Sequence, residues 1–314
     1  MVSRAAFGAR IAGACLVLVA CSSSTTATTP GSTTSGDSTV AGQGVSIHVH
    51  RTGPANAAHT VIAVHGGPGL DAVAMTPYEQ LVATDRRVVT YDQRGAGRSS
   101  APSDGDYGIE AQVADLEAVR ASLGDHQVEL IGESWGGAVA AAYTAEHPEH
   151  VRALVLVGAV PLDRVELRAG QQRFLGYIAH LQGQGLIPRP LPSAVDGSCL
   201  PMVRATLPAY VADPRKVPQV TLGTCTAATS RATYDSFLAD PAVDRLAVAL
   251  ASYRGRAMVV MGDHDAFGLQ WLRRNLALLS GATVDQFLVV NAGHVVAAER
   301  PAQLFGRIAT FLAA

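Results

Sequence analysis

Residues 126–137 read His-Gln-Val-Glu-Leu-Ile-Gly-Glu-Ser-Trp-Gly-Gly, followed by a run of small residues, Ala138-Val-Ala-Ala-Ala142. An apolar run ending in a glycine-flanked serine, with small residues behind it, predicts a strand, a sharp turn and a helix packed tightly against the strands. The glycines at 132 and 136 are needed because bulky neighbours would clash with such a turn, and the serine itself is held in strained backbone. The arrangement puts the Ser134 hydroxyl at the tip of a sheet, where it stands clear as a nucleophile. A chain built around such a turn must supply a parallel sheet to hold it.

The flanking sequence supplies one. Val45–His50 alternates like a half-exposed strand. Thr60–Val64, Arg87–Tyr91, Val151–Val157, Ala257–Met261 and Val284–Val290 are apolar runs, and Ile109–Leu123 carries apolar residues at helical spacing. Buried strands alternating with helices predict a doubly wound α/β fold with a mostly parallel sheet covered on both faces. The rhythm stops between about Pro161 and Leu250, where prolines, arginines and short helical stretches predominate. It resumes afterwards and closes with a helix over Ala302–Leu312. The core is therefore expected over 45–160 and 251–314. An inserted, mainly helical cap is expected over 161–250, covering the strand ends where ligands bind.

The N-terminus reads as an address. Arg4 and Arg10 precede the short apolar stretch Ile11–Ala20, which suits a secretory signal rather than a membrane span. Its end, Leu18-Val-Ala-Cys21, resembles the lipobox of bacterial lipoproteins. That resemblance implies a signal peptide over 1–20, a lipid on the Cys21 thiol, and anchoring at the outer face of the cell membrane, or secretion if the site is not used. Residues 21–44, rich in Ser, Thr and Gly, are expected to form a flexible tether with a reach of roughly 25 Å. With Cys15 and Cys21 accounted for, Cys199 and Cys225 remain, an even pair in a chain sent to an oxidising compartment, and a disulfide is expected between them. The formal net charge of −2 over 314 residues argues against nucleic acid as a partner. The membrane is expected to be met only through the lipid.

A serine hydroxyl needs a base within hydrogen-bond reach, and the base needs an orienting acid. On this architecture the chain order is serine, acid, histidine. The acid lies in Gly262-Asp-His-Asp265, directly after a strand. Asp265, three after the glycine, is expected to be the acid, and Asp263 a turn residue. The base is expected to be His294, in a loop after the last strand, with His264 as the rival. The oxyanion donors are expected to be the main-chain N–H groups of Trp135 and Gly67. His65, Asp92 and Arg94 read as loop-building residues. His48 and His50 read as an outward polar face rather than a metal pair. No metal or organic cofactor is expected.

Three motifs together, His65-Gly-Gly-Pro-Gly69, Asp92-Gln-Arg-Gly-Ala-Gly-Arg-Ser99 and Gly132-Glu-Ser-Trp-Gly-Gly137, closely resemble those of proline iminopeptidases and related α/β-hydrolase aminopeptidases. The resemblance covers about 45–160 and 251–314. It implies an α/β-hydrolase fold, a Ser134-Asp265-His294 triad, and release of an N-terminal residue, often proline, from a short peptide. Glu133 departs from the family pattern, which has a small residue there. The cap also lacks an obvious glutamate pair to hold a free amino group. Glu133 is the candidate substrate-binding carboxylate, against the expectation that it faces away and pairs with an arginine. Two other readings stay open: hydrolysis of carboxylic esters or lactones, and a non-catalytic ligand-binding lipoprotein on the same scaffold.

Overall fold

The computed structural model describes residues 34–314. The signal peptide, Cys21 and the first part of the expected tether lie outside the described residues. The strands are β1 (Thr34–Ala41), β2 (Ser46–Gly53), β3 (His59–Val64), β4 (Arg86–Tyr91), β5 (Val128–Glu133), β6 (Val151–Val157), β7 (Arg256–Gly262) and β8 (Thr283–Val289). They form one sheet in the order β1-β2-β4-β3-β5-β6-β7-β8. The pairs from β4–β3 to β7–β8 are parallel, and β1–β2 and β2–β4 are antiparallel. The five strands β3 to β7 are almost wholly buried, as expected where helices cover both faces of a parallel sheet.

Two apolar layers do the covering. One face carries α1 (Ile109–Ser122) and α2 (Trp135–Glu146), with Val113, Leu116, Val119 and the alanines 138 and 140–142 packed on Ile62, Val64, Leu130 and Leu154. The other face packs the 3₁₀ segment Ala72–Leu81 and the C-terminal helix against Val61, Ala63, Ile131 and Val155, using Met75, Tyr78, Leu304, Phe305 and Ile308. The polar connections also form ion pairs. Arg94 donates from Nε to Asp115 at 2.8 Å, both side chains being 1% exposed, and the guanidinium also donates to the carbonyls of Asp106 and Ala111.

Between β6 and β7 the chain is helical: α3 (Arg164–Gly183), α4 (Leu200–Thr206), α5 (Ala227–Ala239) and α6 (Ala242–Leu250). Three more helices complete the order, α7 (Gln270–Leu278), α8 (Val296–Glu299) and α9 (Pro301–Ala313). Two boundaries differ from the sequence expectation. The helix α6 packs on α2 rather than over the strand ends, because Val243, Leu246, Ala247 and Leu250 make an apolar stripe at helical spacing that is buried in the core. Residues 34–41, expected within the tether, form the edge strand β1, paired with β2 in register from Thr34 opposite Gly53 to Ala41 opposite Ser46. Pairing uses main-chain groups, so a polar Ser/Thr/Gly sequence is compatible with an edge strand. Asp37 also accepts hydrogen bonds from His50 and Arg98 across the edge. Among the described residues, no helix is long and apolar enough to cross a membrane.

Candidate active site

Ser134 stands at the junction of β5 and α2 with φ +53° and ψ −117°, backbone that a side chain adopts only under strain. The surrounding main chain holds it there. The Ser134 N–H donates to the Val157 carbonyl at 2.9 Å, and the Ser134 carbonyl accepts from Gly137 and Val160. The glycines are required by space. A Cβ on Gly132 would meet the Gly136 carbonyl oxygen and the Gly137 Cα at 2.5 Å, and one on Gly136 would run into the Val64 carbonyl. The strand, the turn and the helix therefore touch backbone to backbone.

Asp265 follows β7 and His294 follows β8, so both arrive at the same end of the sheet as Ser134. The three side chains meet. His294 Nε2 lies 2.9 Å from Ser134 Oγ, and His294 Nδ1 lies 2.8 Å from Asp265 Oδ2. The other Asp265 oxygen accepts from the Phe267 N–H at 2.9 Å, which fixes the carboxylate. The rivals are elsewhere. Asp263 accepts from the Ala292 N–H and pairs with His264 at 2.7 Å, and the His264 side chain is half exposed. Burial pulls the His294 imidazole down, but the Asp265 carboxylate and, further off, Glu133 outweigh it and hold its pKa above the ordinary histidine value.

The loop after β3 lies against the nucleophile. A Cβ on Gly66 would sit 3.1 Å from Ser134 Cβ. Gly67 has φ +123°, in the region that favours glycine, and its carbonyl accepts from the Tyr234 hydroxyl of α5 at 3.0 Å. His65 braces this loop, with Nδ1 2.8 Å from the Gly66 carbonyl and Nε2 accepting from the Gln93 N–H. Trp135 is the first residue of α2, so its N–H has no partner within the helix. Its indole is buried and donates to Gln93 Oε1 at 2.9 Å, leaving only the main chain to face the site. Asp92 joins two loops by accepting from the N–H groups of Ala72 and Arg98.

Ser134 and His294 open on a cavity of about 450 Å³. Its walls are mainly apolar, with Met75, Met202, Val203, Leu207, Val220, Leu222 and Phe267 among them. Glu133 lines it too and has no ion-pair partner among the described residues, so the expected pairing with an arginine is not formed. The buried arginines of the core are engaged by other acids: Arg86 pairs with Glu129, and Arg94 with Asp115. Burial pushes the Glu133 carboxyl up, against the opposing pull of the Tyr78 hydroxyl and His294. No cap acid joins it in the lining: Glu166 pairs with Arg173 and Asp244 with Arg164. Cys199 and Cys225 form a disulfide, with Cα atoms 5.2 Å apart, and both line the cavity.

Sequence reasoning missed the residues that grip the histidine loop from behind. Glu299 of α8 accepts from the Gly293 N–H at 2.6 Å and from the Ala212 N–H at 2.8 Å. The Tyr210 carbonyl accepts from the His294 N–H at 2.8 Å, and Phe267 packs against the imidazole with ring centroids 4.7 Å apart. An acid five residues beyond a histidine carries no motif, and a main-chain carbonyl carries no letter at all.

Similar proteins agree with this architecture. The chain is 39% identical over 100 residues to a proline iminopeptidase of Lactobacillus helveticus, covering 31% of this chain and 34% of that protein. It is 37% identical over 137 residues to a 2-hydroxy-6-oxo-2,4-heptadienoate hydrolase of Pseudomonas putida, covering 43% of this chain and 48% of that one. The matched segment thus spans between a third and a half of the length of these curated relatives. Among solved structures, a proline iminopeptidase of Mycobacterium smegmatis superposes with a TM-score of 0.63 at 21% identity, over 88% of this chain and 97% of that one. The model of the α/β-hydrolase fold matches residues 59–301, which takes in every strand of the parallel sheet and all three side chains that meet at its end. The chain belongs to the α/β-hydrolase family of enzymes.

Proposed function

We propose that the protein is a serine hydrolase that cleaves an acyl bond through a covalent acyl-enzyme, releasing N-terminal residues, with a preference of the proline type, from short peptides. The observation that carries this is the continuous hydrogen-bonded chain from Ser134 through His294 to Asp265, with Ser134 and His294 in the wall of an apolar cavity. In this reading His294 Nε2 takes the Ser134 proton as Oγ attacks the carbonyl carbon. Asp265 holds the tautomer and stabilises the imidazolium. The negative oxygen is received by the N–H groups of Gly67 and Trp135. Return of the proton from His294 to the leaving amine expels it and leaves the acyl-serine. Water then attacks by the same route in reverse, with His294 again accepting and returning the proton.

The likeness in sequence to proline iminopeptidases supports the peptidase subclass. A carboxylic ester or lactone hydrolase is the second reading, favoured by the apolar walls and by the lack of any cap carboxylate in the lining. Turnover of a proline arylamide, compared with that of a short-chain aryl ester, separates them, since ester turnover without arylamide turnover overturns the peptidase reading. Fluorophosphonate is expected to label the wild type and not Ser134→Ala. An unlabelled wild type would return the molecule to the class of binding proteins.

Export and lipidation at Cys21 belong to the same proposal. The lipobox-like sequence and the Cys199–Cys225 disulfide, which suits an oxidising compartment, support them. Metabolic labelling with a fatty acid is expected to tag the wild type and spare Cys21→Ser.

A further inference from the structure

A carboxylate facing an apolar cavity is costly unless it is paired. Glu133 is such a group. It lines the cavity beside Ser134, no described acid joins it there, and no described arginine or lysine lines the cavity. Behind it, Tyr78 is wholly buried, yet its hydroxyl makes no well-formed hydrogen bond. The two are electrostatic neighbours: after burial, the Glu133 carboxylate is what pushes the Tyr78 phenol well above its ordinary value. The Tyr78 hydroxyl is thus a donor beside the carboxylate from the buried side, and a carboxylate has acceptor capacity beyond one such donor. What the Glu133 carboxylate lacks is a cationic partner, and no described arginine or lysine in the lining supplies one.

Position narrows the donor further. In an α-amino acyl group the amine nitrogen lies about 2.5 Å from the carbonyl carbon. A group that reads this amine must sit immediately beside the nucleophile. Glu133 precedes Ser134 in the chain, with Cα atoms about 3.8 Å apart across one peptide bond. Tyr78, which backs Glu133, belongs to the 3₁₀ segment of the core, not to the helices α3 to α5. We propose that Glu133, backed by the Tyr78 hydroxyl, is the subsite that holds the protonated amine of an amino-acyl substrate. This deepens the hydrolase reading above and rests on it. It places amine recognition on the core next to the nucleophile rather than on the inserted helices.

The test is a matched pair of aryl esters, alanyl and propionyl, which differ only by the amine. At pH 7.5 the wild type is expected to favour the alanyl ester in kcat/KM. In Glu133→Gln the ratio of the two values is expected to fall on the order of 10- to 100-fold, the worth of a charged hydrogen bond. Glu133→Asp, which keeps the charge, should retain part of the ratio, and Tyr78→Phe should lower it less than Glu133→Gln. An equal loss on both esters in Glu133→Gln, or an unchanged ratio, overturns the proposal. Calorimetry with alaninol, which has the amine and no scissile bond, gives a readout independent of turnover. Binding by the wild type and its loss in Glu133→Gln would support the subsite even if the hydrolase reading failed, and equal binding by both would overturn it.

Discussion

At the scale of single residues, the site is organised by two carboxylates with different surroundings. Asp265 is hydrogen-bonded on both oxygens and touches the imidazole, whereas Glu133 faces the cavity and acts on His294 only through space. Both raise the affinity of His294 for a proton. In the proposed mechanism His294 must be neutral to accept from Ser134, so kcat/KM is expected to fall as pH drops, with the limb above the ordinary histidine value of about 6.5. Glu133→Gln removes one of the charges that favour the imidazolium. The acid limb measured on the propionyl ester should therefore move to lower pH. A limb that stays in place would mean that the Glu133 charge is not felt at the imidazole.

At the scale of elements, the histidine loop is held by contacts from α8 and from the segment after α4. Glu299→Ala leaves the N–H groups of Gly293 and Ala212 without their acceptor. A loss of about 1–3 kcal/mol in stability is expected, read in thermal unfolding, together with a lower kcat. The disulfide acts on the same side of the cavity. It closes a separation of 26 residues, worth about 3–4 kcal/mol on chain-entropy grounds, and that segment supplies Met202, Leu207 and Val220 to the wall. A Cys199→Ser/Cys225→Ser variant is expected to melt lower and to lose more activity on large acyl groups than on small ones.

Much of this was legible beforehand, for a physical reason. Strands such as Thr60–Val64 and Ala257–Met261 are buried on both faces, so their sequences are unbroken apolar runs, and the observed β3 and β7 differ from them by one residue at an end or two. The serine, acid and histidine were readable because each sits where a strand ends. The edge strand β1 was not readable, because an edge strand is held by main chain and needs no apolar letters. The direction of Glu133 was not readable either, since it depends on groups brought beside it from far along the chain, such as Tyr78 of the 3₁₀ segment and His294.

At the scale of the whole molecule, every described part of the site is carried by the sheet, its connections and the helices that flank it, and β1 forms one edge of that sheet. A chain beginning at Thr34 is therefore expected to keep the turnover of the full protein. A chain beginning at Val45 loses the β1–β2 ladder and the Asp37 contacts to His50 and Arg98. It is expected to unfold at lower denaturant and to self-associate through the uncovered edge of β2, measured by urea titration and light scattering.

The backbone-to-backbone packing around Ser134 has a consequence for how such a protein can change over generations. Gly132 and Gly136 admit no side chain without moving the sheet or the helix, and Trp135 is fastened to Gln93. Position 133 is the one letter among 132–136, apart from the nucleophile, whose side chain opens on free space. Exchange of Glu133 for a small residue is therefore expected to leave the scaffold standing. If Glu133 holds the substrate amine as proposed, a single codon change beside the nucleophile is expected to exchange one class of substrate for another while the packing at 132 and 136 stays as it is.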